Sequence, residues 1–203
     1  MRTIVHYSEH MSRKVNTKVG PDVTPLIAAW LREQRRQRGW SLDELAARAK
    51  VSKAMLSKIE RAESSPTAAL LGRICGAYGV TMSALLFPPE KPRGRLLKRA
   101  DQPIWMDPQT HYLRRQISPL SDLPFQLIEV ELPPGTEVGF PAAAYAPIRQ
   151  LIWVLSGRLD FVEGDTVHRM NPGDSLELGA PDDCMFRNPG RSACRYVVAL
   201  TRR

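Results

Sequence analysis

The chain has few of the residues that form covalent cross-links and metal centres, with three cysteines and four histidines among 203 residues. Cys75, Cys184 and Cys194 lie far apart and lack metal-ligand spacing, so at most one pair could form a disulfide. The sequence shows neither a signal peptide nor a long apolar run, which disfavours export and membrane insertion. We therefore expect a reduced, cytoplasmic protein.

The charge is divided unevenly between the two halves of the chain. Residues 1–100 contain 19 Lys and Arg against 8 Asp and Glu, a net charge of +11, whereas residues 101–203 contain 10 against 13, a net charge of −3. A basic half joined to a mildly acidic half predicts a polyanion-binding domain attached to a domain with another task. Nucleic acid is the expected polyanion, because no basic amphipathic helix with aromatic anchors points to a membrane surface.

Residues 41–61 have the pattern of two short amphipathic helices joined by a tight turn. Ser41 followed by Glu44 predicts a capping box, and Ser52 supplies the cap of the second helix. Apolar residues recur at helical spacing within each half, at Leu42, Leu45, Ala46, Ala49, Val51, Met55, Leu56 and Ile59. Two helices of about two turns each, joined by roughly three residues, predict a helix-turn-helix.

The second of these helices presents a row of small or cationic side chains, namely Lys53, Ala54, Ser57, Lys58 and Arg61. Side chains of this kind can enter the major groove of DNA and meet phosphates, so we interpret the helix as a recognition helix. The alternative is a helical hairpin whose basic face is only solvated. The pattern alone leaves both interpretations open.

Three further helices are predicted around this pair. The first begins with Thr24 as cap and Pro25 at its first position, and it ends at Gly39. The others run from Ala68 to Tyr78 and from Met82 to Phe87. In the first helix we expect the inward-facing residues to be Leu26, Ile27, Trp30 and Leu31. The exposed basic run of the same helix consists of Arg32, Arg35, Arg36 and Arg38.

Several spaced motifs resemble the phage-repressor (XRE-type) helix-turn-helix family over about Leu26 to Leu86. They are Leu45-Ala46, Val51-Ser52, Leu56-Ser57-Lys58-Ile59-Glu60-Arg61, Pro66-Thr67, Leu70 and Tyr78-Gly79-Val80. Two positions depart from the family pattern, because Lys50 and Ala62 stand where glycine is usual. The resemblance implies a five-helix, lambda-repressor-like bundle over residues 22–87.

The same resemblance implies how the bundle would bind DNA. The second helix of the pair would lie in the major groove, with Ser52, Lys53, Ala54, Ser57 and Lys58 near bases or phosphates. Ser41, at the head of the preceding helix, would bind a phosphate through the helix N-terminus. Outside the bundle, residues 1–21 are expected to form a disordered basic arm, and the Pro-rich residues 88–103 a linker with an edge strand at Leu96–Arg99.

The last hundred residues have an all-β pattern of short apolar runs separated by turn residues. The runs are Phe125–Leu132, Gln150–Leu155, Arg158–Val162, Ser175–Leu178, Met185–Arg187 and Tyr196–Leu200, with hairpin turns expected at Ser156-Gly157 and Asn171–Asp174. Together with Pro133-Pro134-Gly135, the segments Leu151–Gly157 and Asn171–Asp174 resemble the cupin fold over about Gln116 to Leu200. The resemblance implies a cupin-like β-barrel (jelly roll) over residues 104–203, and hence a multidomain α plus β chain.

The metal site of cupins is not matched in this sequence. The family's two paired His positions fall near Ala143 and Tyr145, its Glu position on Gln150 and its second-motif His position on Cys184. An amide oxygen and one thiol do not form the usual ligand set for a divalent ion. We therefore expect no metal, no other cofactor and no enzymatic activity.

A barrel without its metal can still hold a small molecule at its mouth. The alignment places Phe140, Tyr145, Gln150, Ile152, Cys184 and Phe186 around such a cavity. The alternative is that these side chains only fill the core of a dimerisation domain. Cys184 and Cys194 are expected on neighbouring strands. They could form a redox pair or remain two unpaired thiols, and the sequence leaves both interpretations open.

Together these patterns predict a cytoplasmic transcription regulator that binds double-stranded DNA as a homodimer on a palindromic operator. A small-molecule effector in the barrel would alter the placement of the two helical domains. The competing hypotheses are a metal-dependent cupin enzyme with an accessory helix-turn-helix domain, and an antitoxin-like module that binds another protein.

Overall fold

A computed structural model describes residues 22–87, 95–119 and 123–202. The predicted arm (residues 1–21) and residues 88–94 of the predicted linker lie outside the described residues. Five helices come first: α1 (Thr24–Gln37), α2 (Leu42–Ala49), α3 (Lys53–Glu60), α4 (Ala68–Tyr78) and α5 (Met82–Leu86). No helix within the described ranges is long and apolar enough to cross a membrane.

Four of the five helices begin at a serine or threonine that caps the backbone. In each, the side-chain oxygen accepts a hydrogen bond from the backbone N–H three residues later, at Ser41, Ser52, Thr67 and Thr81. At Ser41 the capping box is complete, since the Glu44 carboxylate accepts in turn from the Ser41 N–H at 2.7 Å. The predicted helix-turn-helix geometry thus follows from local hydrogen bonding.

The start of α1 differs from the prediction. Thr24 is the first helical residue rather than the cap, and its N–H donates to the Asp22 carboxylate at 2.9 Å. The predicted inward position of Leu26 is wrong, since its side chain is 47% exposed. Ile27 and Leu31, four residues apart, occupy the buried face, which leaves Leu26 on the helix flank.

Arg35, predicted as part of an exposed basic run, is instead half-buried in an ion pair. Its guanidinium donates to both carboxylate oxygens of Glu60 at 2.7 and 2.9 Å and to the Trp40 carbonyl at 2.9 Å. A bidentate pair of this kind adds directional hydrogen bonds to the charge attraction. It ties α1 to the end of α3, and so fixes the helix that carries the predicted DNA-binding row.

The two positions where glycine is usual in the resembled family both have left-handed backbone. Lys50, between α2 and α3, has φ +52°, and Ala62, after α3, has φ +58°. A side chain in this conformation costs roughly 1–2 kcal/mol, because Cβ approaches the carbonyl oxygen. The turn geometry of the family is therefore retained with strained residues.

Within the described ranges, ten strands form two antiparallel sheets. They are β1 (Ile104–Met106), β2 (Leu113–Gln116), β3 (Phe125–Leu132), β4 (Glu137–Phe140), β5 (Ile148–Ser156), β6 (Leu159–Glu163), β7 (Thr166–Met170), β8 (Ser175–Glu177), β9 (Cys184–Arg187) and β10 (Cys194–Arg202). One sheet has the order β1-β2-β3-β10-β5-β8 and the other β4-β9-β6-β7. The predicted fold class, a five-helix region followed by a double-sheet β region, is confirmed.

Several local predictions in the β region are wrong. Ser156-Gly157 and Asn171–Asp174 are not hairpin turns, because β5 and β6 belong to different sheets, as do β7 and β8. The chain crosses between the two sheets at both points. A tight hairpin turn lies instead at Gly164-Asp165, between the paired strands β6 and β7.

Two further predictions are wrong because the segments concerned do not pair as neighbouring strands. Leu96–Arg99 forms no strand; Leu96 is 77% exposed, and a short 3₁₀ turn covers Arg99–Asp101. Cys184 and Cys194 do not lie on neighbouring strands, since β9 and β10 belong to different sheets, and both cysteines are free.

Helix α4 packs directly on the β region. Gly72 faces the Phe140 ring and Gly76 faces the backbone of Ala143, so closely that a Cβ at either position would meet atoms at 2.6 to 2.9 Å. At the start of α4, the Ala68 N–H donates to the buried Asp107 carboxylate. The buried apolar residues of the helices and sheets consequently form one continuous core.

Substituting glycine at the two left-handed positions should stabilise the protein. Lys50→Gly and Ala62→Gly remove the Cβ strain and are each expected to raise the free energy of unfolding by about 0.5–1 kcal/mol. Denaturant unfolding monitored by circular dichroism measures the change. Ala47→Gly, within α2, is the matched control and should lower stability by about 1 kcal/mol. A loss of stability at position 50 or 62 would contradict the left-handed assignment.

Adding one methyl group to α4 should loosen its contact with the β region. Gly76→Ala favours the helix by about 1 kcal/mol, but its Cβ collides with the Ala143 backbone, which cannot rotate away. We expect a net loss of about 1–2 kcal/mol, seen as a lower Tm. Arg73→Ala, at an exposed position of α4, is the control and should change little. A higher Tm for Gly76→Ala would refute the close approach.

Candidate functional sites

The exposed side of α3 carries most of the predicted DNA-binding residues. Lys53, Ala54 and Lys58 are exposed, Ser57 is half-buried, and Arg61 follows directly after the helix and is exposed. The opposite side of the helix is held in the core by Leu56 and Ile59, which are fully buried. The structure therefore brings these side chains to one surface, whereas Ser41 and Ser52 lie at helix starts.

Two of the cationic residues are engaged in surface ion pairs. The Lys53 ammonium lies 2.8 Å from the Asp43 carboxylate, and both side chains are more than half exposed. Arg61 binds both carboxylate oxygens of Glu63 at 2.6 and 2.8 Å and also donates to the Ser57 hydroxyl. Exposed pairs of this kind contribute at most about 1 kcal/mol, so a phosphate can displace the carboxylate partner.

The capping hydroxyls are already occupied. The Ser41 hydroxyl accepts from the Glu44 N–H at 3.1 Å, and that of Ser52 accepts from the Met55 N–H at 3.2 Å. Asp43 and Glu44 place two carboxylates in the first turn of α2. These charges oppose a phosphate at the Ser41 end, whereas the first turn of α3 contains no acidic residue.

A small cavity lies between the helices and the barrel. Its volume is about 50 Å³, and its lining includes Phe140, Tyr145, Gln150 and Phe186 of the predicted ligand site. Helices α4 and α5 and the loop between them contribute Cys75, Val80, Thr81 and Met82. The cavity is therefore an interdomain space rather than an open barrel mouth, and it is far smaller than the several hundred Å³ of a drug-sized site.

The other two predicted ligand residues lie elsewhere. Cys184 lines a second, smaller space of about 10 Å³, which is also lined by Glu163 and Asp182 and shares Tyr145, Ile148 and Gln150 with the first. Ile152 is fully buried and lines neither space; in β5 it pairs with Val198 and Leu176 across the sheet.

Sequence reasoning missed Arg114, which also lines the interdomain cavity. Its side chain projects from β2, and the residue is only 7% exposed. Since β2 was not predicted as a strand, nothing in the pattern indicated that one arginine of the Arg114-Arg115 pair points inward.

All three cysteines are buried and free. Burial raises the pKa of Cys75 and of Cys184 to about 12 and that of Cys194 to about 11. At Cys184 the carboxylates of Glu163 and Asp182 add to the effect of burial. Raised pKa values disfavour the thiolate, which is the nucleophilic form of cysteine.

The resembled metal positions carry neutral or apolar groups in the structure. Ala143 lies in a 3₁₀ turn, Tyr145 directly after it, and Gln150 and Cys184 on β5 and β9. Among the described residues, no group of three or more His, Cys, Asp or Glu side chains could hold a metal ion.

Comparison with known proteins finds relatives for both parts of the chain. Residues 31–85 match the family HTH_3, described as helix-turn-helix. The HTH-type transcriptional regulator SutR of Escherichia coli (strain K12) is 29% identical over 172 residues, which cover 84% of this chain and 91% of SutR.

Solved structures extend the likeness to the fold. The crystal structure of an HTH_3 family transcriptional regulator from Vibrio cholerae superposes with a TM-score of 0.71 at 23% identity, covering 88% of this chain and 96% of that one. The Cupin_2 domain of an XRE family transcriptional regulator from Enterobacter cloacae covers 44% of this chain and 95% of that one, at 15% identity and a TM-score of only 0.41. The first of these shows that the succession of helical and β regions is a shared fold.

Proposed function

We propose that this chain, whose residues 31–85 form an XRE-type helix-turn-helix domain of the HTH_3 family, is a transcription regulator that binds operator DNA as a homodimer and responds to a small molecule. The predicted helix-turn-helix domain is confirmed by that match and by the helices α2 and α3. The observation that carries the DNA-binding proposal is the exposed row of cations on α3. It lies in the half of the chain with a net charge of +11.

The direct test is selection of binding sites from a pool of random duplex DNA by the purified protein. A palindromic site with two half-sites about one helical turn apart is expected, because two recognition helices related by a two-fold axis read such a sequence. Binding that depends on salt but enriches no sequence would contradict a sequence-specific regulator.

Loss of a phosphate contact should change the salt dependence of operator binding. Lys58→Ala and Lys53→Ala should each weaken binding and lower the slope of log Kd against log salt concentration by about one unit per half-site contact. The effect of Lys53→Ala should be the smaller, since Lys53 must first leave Asp43. Fluorescence anisotropy over a salt series measures the slope. Arg191→Ala, an exposed cation in the β region, is the control, and unchanged slopes for both lysines would refute the role of α3.

The proposed dimer uses the outer face of the six-stranded sheet. Trp153 is 48% exposed, Leu151 39% and Phe125 43%. Strand β10 runs between β3 and β5, and it pairs Val197 with Trp153 and Ala199 with Leu151. Exposed apolar side chains on β3 and β5, with the half-buried Val197 and Ala199 of β10 between them, form an apolar surface, which is typical of a protein interface. A second copy is the expected occupant, because one short recognition helix buries too little surface for operator affinity.

A charge on this face should separate the dimer. Trp153→Arg is expected to convert the protein to a monomer in sedimentation velocity and to weaken operator binding by at least about a hundredfold, since the half-sites then bind independently. Val167→Arg, an equally exposed apolar position on the other sheet, is the control and should remain dimeric. A monomeric wild type, or a dimeric Trp153→Arg, would contradict this interface.

We further propose that the β region binds a ligand and does not catalyse a reaction. The support is chemical: the positions at or near those of the metal ligands in cupins carry Ala143, Tyr145, Gln150 and Cys184, and burial raises the pKa of the Cys184 thiol to about 12. Metal analysis of the purified protein tests this proposal. A stoichiometric divalent ion would favour the cupin enzyme hypothesis, and a copurifying protein would favour the antitoxin-like one.

A further inference from the structure

Arg114 is a buried cation with no carboxylate oxygen within 4 Å among the described residues. Its hydrogen bonds are two long contacts of 3.4 Å, to the Tyr112 and Ser83 hydroxyls, and its Nε is buried with no partner. A guanidinium has five N–H donors, and a buried charge is costly unless it is paired. The side chain is thus unsatisfied both in charge and in hydrogen bonds.

The neighbouring arginine, Arg115, is also buried, but its charge is paired with a carboxylate. Arg115 points to the other side of the same strand and is as deeply buried, at 8% exposure. Its Nε lies 3.8 Å from the Glu129 carboxylate, which Arg99 and Arg195 also approach. Burial by itself would raise the pKa of Glu129, but the three guanidinium groups outweigh this effect and lower the pKa. Arg114 has no such counter-charge among the described residues.

The interdomain cavity beside Arg114 is rich in donors and lined by no acid. Besides the guanidinium, the polar groups in its lining include Thr81, Tyr112, Tyr145 and Gln150, and no Asp or Glu belongs to it. The Tyr196 hydroxyl is also buried without a hydrogen-bond partner among the described residues, and it is close enough to Arg114 to interact with its charge. An apolar wall is provided by Phe140, Phe186 and Leu200.

The size of the cavity limits its occupant. One water needs roughly 10–15 Å³ of such space, so about 50 Å³ holds roughly three to five non-hydrogen atoms. A guanidinium binds a carboxylate through two parallel hydrogen bonds, which a fork of free N–H groups matches. A short carboxylate would supply the missing charge and fit between the aromatic walls.

We propose that Arg114 binds the carboxylate of a small aliphatic acid in this cavity, and that this anion is the effector of the regulator. The inference rests on the proposed function and specifies its ligand class. Because α4, α5 and the barrel all line the cavity, an anion there touches both parts of the chain. Its binding therefore favours one placement of the helix-turn-helix domain on the barrel and changes operator affinity.

The test measures the Tm of the full chain at constant ionic strength while sodium chloride is replaced by sodium formate, acetate, glycolate or propionate. At a concentration about a hundred times its Kd, a bound acid should raise the Tm by roughly 5 °C or more, and the rise should saturate. Acetamide, the neutral analogue of acetate, should have no effect. Sulfate and phosphate form a second arm, in which inorganic oxyanions are compared with carboxylates.

Three variants separate binding from general salt effects. Arg114→Met should abolish the saturable rise and leave the Tm without anion equal to or above that of the wild type, because an unpaired buried charge has been removed. Arg114→Lys keeps the charge without the fork and should weaken binding at least about tenfold. Arg115→Met is the matched control; it should lower the Tm and retain the response to the acid.

The possible results are distinct. A saturable rise that is lost in Arg114→Met, together with a several-fold change in wild-type operator affinity, supports the proposal. No saturable rise, a rise that persists in Arg114→Met, or a response to sulfate or phosphate alone overturns it. If Arg114→Met does not fold, the wild-type comparison tests the proposal: a saturable rise in Tm with the acids but not with acetamide supports it, and an equal response to acetamide overturns it. Operator binding without added acid is measured separately, so its absence counts against the proposed function and not against the anion site.

Discussion

The close packing of α4 on the barrel is the constraint on which the rest of the structure depends. Gly72 and Gly76 have no Cβ, and only for this reason can the helix lie against Phe140 and the backbone of Ala143. The contact joins the helical and β cores into one. It also closes one side of the interdomain cavity, whose lining is shared by α4, α5 and the β region.

Within the helical part, electrostatics have two separate tasks. The pair of Arg35 and Glu60 is shielded from solvent, and it fixes α3 on α1 through directional hydrogen bonds. The pairs of Lys53 with Asp43 and of Arg61 with Glu63 are exposed and weak, and their cations can exchange a carboxylate for a phosphate. Rigid support for the helix and an adaptable cationic surface are thus provided by different arginines and lysines.

The two faces of the large sheet also carry different kinds of residue. The inward face of the large sheet contains the unpaired Arg114, whereas the outward face has its arginines gathered around Glu129 on one side and apolar residues around Trp153 on the other. A ligand between the domains and a partner copy on the outer face would therefore act on opposite sides of one sheet.

The sequence by itself determined the local features of this protein. The caps at Ser41 and Ser52, the periods of α2 and α3 and the full extent of β3 are encoded within a few consecutive residues, since hydrogen bonds and side-chain spacing there are local. Only the tertiary structure decided which turns cross between sheets, that Leu113–Gln116 is a strand, and that Arg35 and Arg114 are shielded from solvent. These features depend on contacts between distant residues, such as β10 lying between β3 and β5, and burial of a cation is set by what packs over it rather than by its neighbours in sequence.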